Sequence, residues 1–406
     1  MGLWLYFKEM FTFDILATQG DARLGKIITT RGIVYTPSFV PVGTSAVVQA
    51  ISADELRDLG TQILITNAYH LHFRPGEDSI EKMGGLHRFM GWEGPLMVDS
   101  GGFQIFSLGA GKEHGVGKIA PIFPEKMECG GHLRSRQGKS LVRVDEDGVE
   151  FVSYIDGSRH RFTPEAVIWT GRRLGAEILM VLDECTSPYH DYRYTREAMD
   201  RTHRWAVRSL EELEHRCPRR QASIGIVQGG AYRDLRQRSA RFIGGLNFDG
   251  YAIGGSLGKS KEEMYRILEW TTPLLPREKP RHLLGIGEVE DIFSVVSRGI
   301  DLFDCVFPTR MARTGTFLVR GAERFRIHIK NARYKEDPNP IENGCPCYTC
   351  RNYSRASLRN LFMAKDPSAM RLATIHNLNF LESLMREIRE SLQEGRLAAL
   401  EKEWLS

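Results

Sequence analysis

Eight short apolar, β-rich runs, most of them separated by helical patterns, constrain this chain more than any other feature. They lie at Pro37–Gly43, Gln62–Tyr69, Leu96–Gly102, Ile178–Glu184, Ser223–Gly229, Gly250–Gly255, His282–Gly287 and Leu302–Pro308. Each is apolar along its length rather than alternating, as burial on both faces of a sheet requires. Helical periodicity falls at Ala53–Leu59, Pro164–Leu174, Thr195–Arg216, Tyr232–Ile243, Lys261–Leu275 and Val289–Ser297. Alternation of strand and helix predicts a parallel sheet, and eight units predict an α/β chain closed as a (β/α)8 TIM barrel.

The remaining segments attach to this single domain of residues 1–406. Residues 1–36 read as a β-hairpin plug under the barrel. The excursion 109–160 follows the third strand, and its second half (Leu141–Val144, Val149–Tyr154) alternates like a hairpin. A second excursion at 315–376 holds a cysteine cluster. The chain closes over 377–406, where Leu378–Leu392 forms an amphipathic helix with Phe380, Leu381, Leu384, Met385 and Ile388 on one face.

In such a barrel the chemistry sits at the carboxyl ends of the strands. Here those ends gather carboxylates, glycines and an amide: Asp99-Ser100-Gly101-Gly102, Asp183-Glu184-Cys185, Gln228-Gly229-Gly230, Gly254-Gly255, Gly285-Ile286-Gly287 and Asp304. Asp99, Asp183 and Asp304 each close an apolar strand. A carboxylate in such a place costs several kcal/mol unless it is paired or used. Two carboxylates facing one bond can cleave a glycosidic linkage, one attacking the anomeric carbon and the other moving protons. A metal-binding acid cluster, or plain strand and loop caps, fits the same pattern. Gly101 and Gly102 after Asp99, and Gly229 and Gly230 after Gln228, let backbone amides approach a flat heterocycle, whose edge Asp183 and Gln228 would read; turn geometry alone also favours glycine there.

Cys345, Cys347 and Cys350 are too close to pair among themselves and offer soft ligands for Zn²⁺. His376 is the natural fourth ligand, and a closed three-Cys, one-His set implies a structural ion. A redox pair or free thiols are the alternatives. Cys185 and Cys305 read as core packing. Arg310, Arg313, Arg326, His328, Lys330, Arg333 and Lys335 form a basic stretch with Phe325 and Tyr334 interleaved, and Arg351, Arg355 and Arg359 follow at helical spacing. RNA phosphates would neutralise such a surface; a solvated face is the bland alternative.

Composition narrows the setting. Seven cysteines, an odd number with three crowded together, fit a reducing cytoplasm and a metal site better than a disulfide framework. No apolar run approaches the roughly 20 residues that span a bilayer. Met1–Phe13 carries Lys8 and Glu9 without a small-residue cleavage site, so it does not read as a signal peptide. A net charge of +4 permits nucleic acid as a partner without arguing for it.

Val98-Asp99-Ser100-Gly101-Gly102-Phe103-Gln104, Asp183-Glu184-Cys185-Thr186, Phe303-Asp304-Cys305-Val306-Phe307-Pro308-Thr309-Arg310 and the Cys-x-Cys-x-x-Cys…His set resemble, in order and across essentially the whole chain, the tRNA-guanine transglycosylases, or queuine tRNA-ribosyltransferases. The resemblance implies a TIM barrel with a zinc-binding subdomain. It implies exchange of the wobble guanine in GUN-anticodon tRNAs (those for Asp, Asn, His and Tyr) for a free 7-deazaguanine base. Asp304 would then be the nucleophile and Asp99 the general acid/base. Asp99, Ser100, Gly101, Gly102, Phe103, Asp183, Gln228, Gly255 and Gly258 would form the base site, with Phe103 stacking on the ring. Gly285-Ile286-Gly287-Glu288-Val289-Glu290-Asp291 and Thr309-Arg310-Met311-Ala312-Arg313 would meet tRNA. Cys345, Cys347, Cys350 and His376 would hold one Zn²⁺ in each subunit of a cytoplasmic homodimer.

One departure bears on base choice. The bacterial pattern Gly-Gly-Leu-Ala-Val-Gly-Glu is here Gly254-Gly255-Ser256-Leu257-Gly258-Lys259-Ser260. Gly258 in place of Val, and Ser260 in place of the acid, imply a wider pocket favouring queuine over 7-aminomethyl-7-deazaguanine. A non-catalytic tRNA-binding accessory subunit is the alternative from another class, but it would be expected to lose Asp99 or Asp304. A generic barrel glycosidase is disfavoured by the cysteine cluster and the basic stretch.

Overall fold

The computed structural model describes residues 11–108, 142–153, 155–215, 221–255 and 257–406. It opens on an antiparallel sheet of β1 (Phe11–Gln19), β2 (Ala22–Thr29) and β3 (Gly32–Thr36). The expected hairpin therefore has a third strand, paired along Gly25–Thr29 of β2.

Each of the eight expected runs coincides with a strand of the barrel. They are β4 (Ser38–Val40), β5 (Leu64–Asn67), β6 (Leu96–Asp99), β10 (Ile178–Met180), β11 (Ala222–Val227), β12 (Gly250–Ile253), β13 (Arg281–Leu284) and β14 (Leu302–Asp304), of which β11 and β13 begin one residue earlier than expected. Their order in one sheet is β4-β14-β13-β12-β11-β10-β6-β5. A parallel bridge from Val42, just past β4, to Ile65 of β5 brings the two ends of that order together, giving a nearly closed (β/α)8 barrel. The strands are shorter than their apolar runs; the run ends after β5 and β6, for example, begin the helices Ala68–Phe73 and Gly102–Leu108.

Helices form where the sequence supplies their ends. Thr163 accepts from Ala166 N, Pro164 sits in the first turn, and Gly175 closes the helix Pro164–Leu174 in a left-handed conformation. The pattern read over Lys261–Leu275 stops as an α-helix at Thr271, and Pro273 lies in a 3-10 turn, Thr272–Leu274. The closing helix differs most from expectation. It runs Pro367–Gln393 from an Asp366 cap, so His376 lies inside it rather than before it, and a further helix, Leu397–Leu405, follows.

Two compact units are distinguishable among the described residues. One comprises 67–82 and 98–279. Its insertion carries three antiparallel strands, β7 (Val142–Val144), β8 (Val149–Val152) and β9 (Arg159–Phe162), where two were expected. Residues 109–141 and Tyr154, which complete that expected excursion and hairpin, lie outside the described residues. Val149, Phe151 and Phe162 pack with Tyr69, Ile105, Val167, Leu182 and Trp205, so the insertion shares the core of this unit. The second unit comprises 11–66, 83–97 and 280–406. There the helix Pro367–Gln393 packs on β1, β2 and β4. Buried Arg23 of β2 grips Asp301 through two nitrogens, and Arg281 N donates to the same carboxylate at 2.7 Å. Full burial alone pushes the Asp301 carboxyl upward, against the pull of these partners. The remaining strands, β15 (Thr316–Leu318) and β16 (Arg326–His328), pair antiparallel beside the cysteine cluster's segment.

Candidate active site and metal centre

The first unit holds four of the predicted strand-end groups on consecutive turns. β6 ends on Asp99, half-buried, whose Oδ2 accepts from Asn67 Nδ2 at 2.6 Å. Asn67 also caps the helix Ala68–Phe73 by accepting from His70 N, so its amide is held from both sides. Ser100 is fully buried and accepts from Gly102 N, at the start of the helix Gly102–Leu108 that bears half-buried Phe103.

Asp183 follows β10, and its Oδ2 accepts from Gln228 Nε2 at 2.5 Å. Gln228 is itself fixed by its own N–H donating to Ser239 Oγ at 3.1 Å. The other end of that amide, Gln228 Oε1, is buried with no hydrogen-bond partner. It points at Gly255, whose φ of +74° disfavours a side chain; a Cβ there would collide with that oxygen. A carboxylate next to a buried, unanswered acceptor suits a heterocycle edge rich in N–H donors.

Arg236 organises these turns, and sequence reasoning missed it. Completely buried, it donates to Gly230 O at 2.6 Å, Val227 O at 3.0 Å and Gly254 O at 3.0 Å. Burial pulls its guanidinium down to about 10, which leaves it charged at neutral pH. Its signal was an arginine on the apolar face of the helix Arg233–Gly244, beside Leu235, Ser239 and Ile243.

Gly258, with φ +91°, does not border open space. A Cβ there would lie 2.6 Å from Glu263 Cβ and Glu263 Oε2, and that carboxylate accepts from Lys259 N at 2.6 Å. Ser260 in turn caps the helix Lys261–Thr271 by accepting from Glu263 N. Glu263, in the first helical turn, thus brings a carboxylate beside Gly258. Ser256 lies outside the described residues.

The second unit holds Asp304 at the end of β14, where His282 Nε2 of neighbouring β13 reaches its Oδ1 at 2.8 Å and Gly285 N reaches the same oxygen at 3.4 Å. Cys305 is half-buried, and Cys185 is buried in the first unit. In the two segments predicted to meet tRNA, Arg310 and Arg313 are exposed on the helix Phe307–Thr314, and Met311 and Glu290 are half-buried. Ile286, Gly287, Val289, Asp291, Thr309 and Ala312 are buried scaffold. Glu288 caps no backbone but pairs with Arg326.

The expected basic helix face is divided. Arg351 belongs to the helix Tyr348–Asn352, whereas Arg355 and Arg359 belong to a second, Arg355–Met363, because Ser354 starts a new cap. Arg355 pairs with Asp337 at 3.1 Å and Arg359 donates to Asn331 O at 3.2 Å, so both hold the fold. Arg333, Lys335, Lys330 and Arg351 remain exposed.

Cys345, Cys347, Cys350 and His376 converge with all four ligand atoms within 4.8 Å of one another. The three sulfurs lie 3.8, 3.6 and 3.3 Å from His376 Nδ1. Ligands on a tetrahedral Zn²⁺ with ordinary bond lengths stand about 3.6 Å apart from sulfur to nitrogen, so the cluster fits that ion. His376 Nε2 donates to Leu318 O at 2.7 Å, which turns the Nδ1 lone pair toward the thiols. Asn379 Nδ2 donates to Cys345 Sγ at 3.4 Å, an outer contact the sequence did not reveal. Replacing Cys347 with Ser should lower bound metal and the melting temperature together, measured by elemental analysis and calorimetry, while leaving the ratio of bases used unchanged.

Known proteins similar to this chain share one description. A family model described as queuine tRNA-ribosyltransferase matches residues 18–123 and 129–406. A relative from Archaeoglobus fulgidus is 48% identical over 402 residues, covering 97% of this chain and 98% of its own. Queuine tRNA-ribosyltransferases of Roseiflexus sp. and Caldanaerobacter subterraneus are 45% and 47% identical over 408 and 386 residues, covering 97% and 95% of this chain and 98% and 93% of theirs.

Proposed function

Given that this chain belongs to the queuine tRNA-ribosyltransferase family, we propose that it exchanges the wobble guanine of GUN-anticodon tRNAs, those for Asp, Asn, His and Tyr, for a free 7-deazaguanine base by double displacement. The observation that carries the reading is the Asp183–Gln228 pair with its buried, unanswered amide oxygen beside Gly255. No ordinary structural role needs an acceptor left in that state, and a guanine-like base supplies N–H donors along one edge.

In this reading the target nucleotide leaves its stack to reach the base site. An Asp304 oxygen attacks the ribose anomeric carbon, the bond from that carbon to guanine breaks, and Asp99 supplies the proton the departing base needs. The incoming base then gives its ring proton to Asp99 and attacks the same carbon, and Asp304 departs as carboxylate. One glycosidic bond replaces another, so no ATP is consumed. Arg310 and Arg313 meet phosphates. Cys345, Cys347, Cys350 and His376 would hold Zn²⁺ in a structural role, tying the helix Pro367–Gln393 to the segment before it. We place the enzyme in the cytoplasm as a homodimer; among the described residues no helix is long and apolar enough to cross a membrane.

Queuine is placed first and 7-aminomethyl-7-deazaguanine second on the residue types at 258 and 260 alone; the wider pocket expected at Gly258 is filled on that side by Glu263. Glu263 adds a carboxylate beside Gly258 that would pair with the amine both bases carry on their 7-methylene. Competition between the two free bases for the same tRNA tests this: queuine should be incorporated faster, and a strong preference for the aminomethyl base would overturn the assignment.

A further inference from the structure

We propose that His282 is the positioning residue for the nucleophile, holding the Asp304 carboxylate through attack and through departure; the inference rests on Asp304 being that nucleophile. His282 lies on β13 and Asp304 on β14, a parallel pair in which His282 stands opposite Leu302 and Leu284 opposite Asp304. Side chains two apart on a strand share a face, so the imidazole sits one layer behind the carboxylate and reaches forward to it. Nε2 meets Asp304 Oδ1 at 2.8 Å. The imidazole is 1% exposed and the carboxylate 16%. The acid therefore opens toward solvent with a dry ring at its back.

An ionised carboxylate only accepts, so Nε2 must carry the proton that lies between the two groups. Nδ1 is buried without a hydrogen-bond partner. An apolar side chain would fill this position of the strand at no such cost, since a buried polar atom left unmatched is unfavourable. What the imidazole supplies is one donor at fixed distance and direction, aimed at the oxygen that Gly285 N also approaches.

That donor bears on both half-reactions. During attack it fixes the plane of the carboxylate, so the attacking oxygen does not have to be oriented at the moment of reaction. During return, the ester's electron pair goes back to Asp304, and a donor already in place stabilises the charge as it grows. Neither effect involves the bound base or the tRNA, so binding should be spared.

The test uses the intact protein with tRNA and labelled guanine. His282→Phe keeps a ring and removes the donor; kcat should fall about 10²-fold, the usual loss on removing one preorganised donor, with KM for guanine and tRNA within about twofold. His282→Gln restores an amide N–H at similar reach and should recover to within about tenfold of the parent, since a neutral donor in nearly the same place does most of the same task. Should His282→Phe fold poorly, His282→Asn replaces it, because its amide falls short of Asp304 and should show the same loss. The inference is overturned if the donor-less variant keeps kcat within about twofold of the parent, if Gln and Phe lose equally, or if the loss lies in KM alone. Asp304→Asn runs alongside: an adduct that survives that change would overturn the nucleophile assignment itself, whereas its loss beside an unaltered His282→Phe would overturn only the role of His282.

Discussion

Asp304→Asn should lose the covalent tRNA adduct entirely and reduce guanine exchange by roughly 10⁴-fold or more, the scale seen when a nucleophile is deleted from a double-displacement enzyme. The amide is nearly the same shape as the carboxylate and its oxygen still accepts from His282 Nε2, which now lies 2.8 Å from Oδ1. The fold should therefore survive, and the melting temperature should move little. tRNA affinity should stay near that of the parent, because Arg310 and Arg313 are exposed on a separate helix and are untouched. The adduct is read on a denaturing gel after incubation with guanine-bearing tRNA. A band of full intensity from the variant would remove the nucleophile from this account. A loss of adduct accompanied by a collapse in melting temperature would make Asp304 a structural cap, the plain alternative that the sequence left open.

Asp99→Asn should cut turnover by at least about 10²-fold, as deletion of an acid–base group does. Asn67 Nδ2 holds Asp99 Oδ2 at 2.6 Å, and an amide at position 99 can present its oxygen to the same donor. Position and packing are thus preserved while proton transfer is lost. Both half-reactions need that proton, so the adduct should form slowly and be chased slowly by added base. The contrast with Asp304→Asn is informative: one variant should slow the adduct and the other should eliminate it. Equal and complete loss of adduct in both would argue that Asp99 is needed to bind the base rather than to shuttle its proton. An unchanged rate would remove it from the chemistry.

What the sequence revealed and what it hid divide along a physical line. Strands buried on both faces must be apolar throughout, so all eight announced themselves, down to β14 and its three residues Leu302–Asp304. Carboxylates closing such runs stood out because burying them is expensive, which is why Asp99, Asp183 and Asp304 were legible together. The cysteines were legible by spacing, and His376 joined them at 3.3–3.8 Å from the sulfurs. The start of the helix at Pro367 was missed although Asp366-Pro367 is a strong start signal, because buried Thr374, His376 and Asn377 interrupt its apolar period. β9 was missed because Arg159-His160-Arg161 reads as a polar loop, and only pairing with β8 makes it a strand.

The partners of the reactive groups were not legible. Asn67, His282, Arg236 and Glu263 are polar residues of ordinary appearance, and each acquires meaning only from the tertiary neighbour it meets. Asn67 reads as a helix cap, which it also is, until Asp99 comes beside it. Glu263 reads as a first-turn acid suited to the helix dipole until the turn back to Gly258 places its carboxylate against the missing side chain. Arg355 shows the converse: four-residue spacing suggested one basic face, but a new cap at Ser354 and the ion pair to Asp337 turn it inward.

The most direct measurement of the central claim is exchange of labelled guanine into an otherwise unmodified GUN-anticodon tRNA, followed by a chase with queuine. Label should enter at the wobble position without ATP, be released when queuine is added, and fail to re-enter the tRNA afterwards. No incorporation by the zinc-loaded protein, or incorporation at another position of the tRNA, would contradict the account.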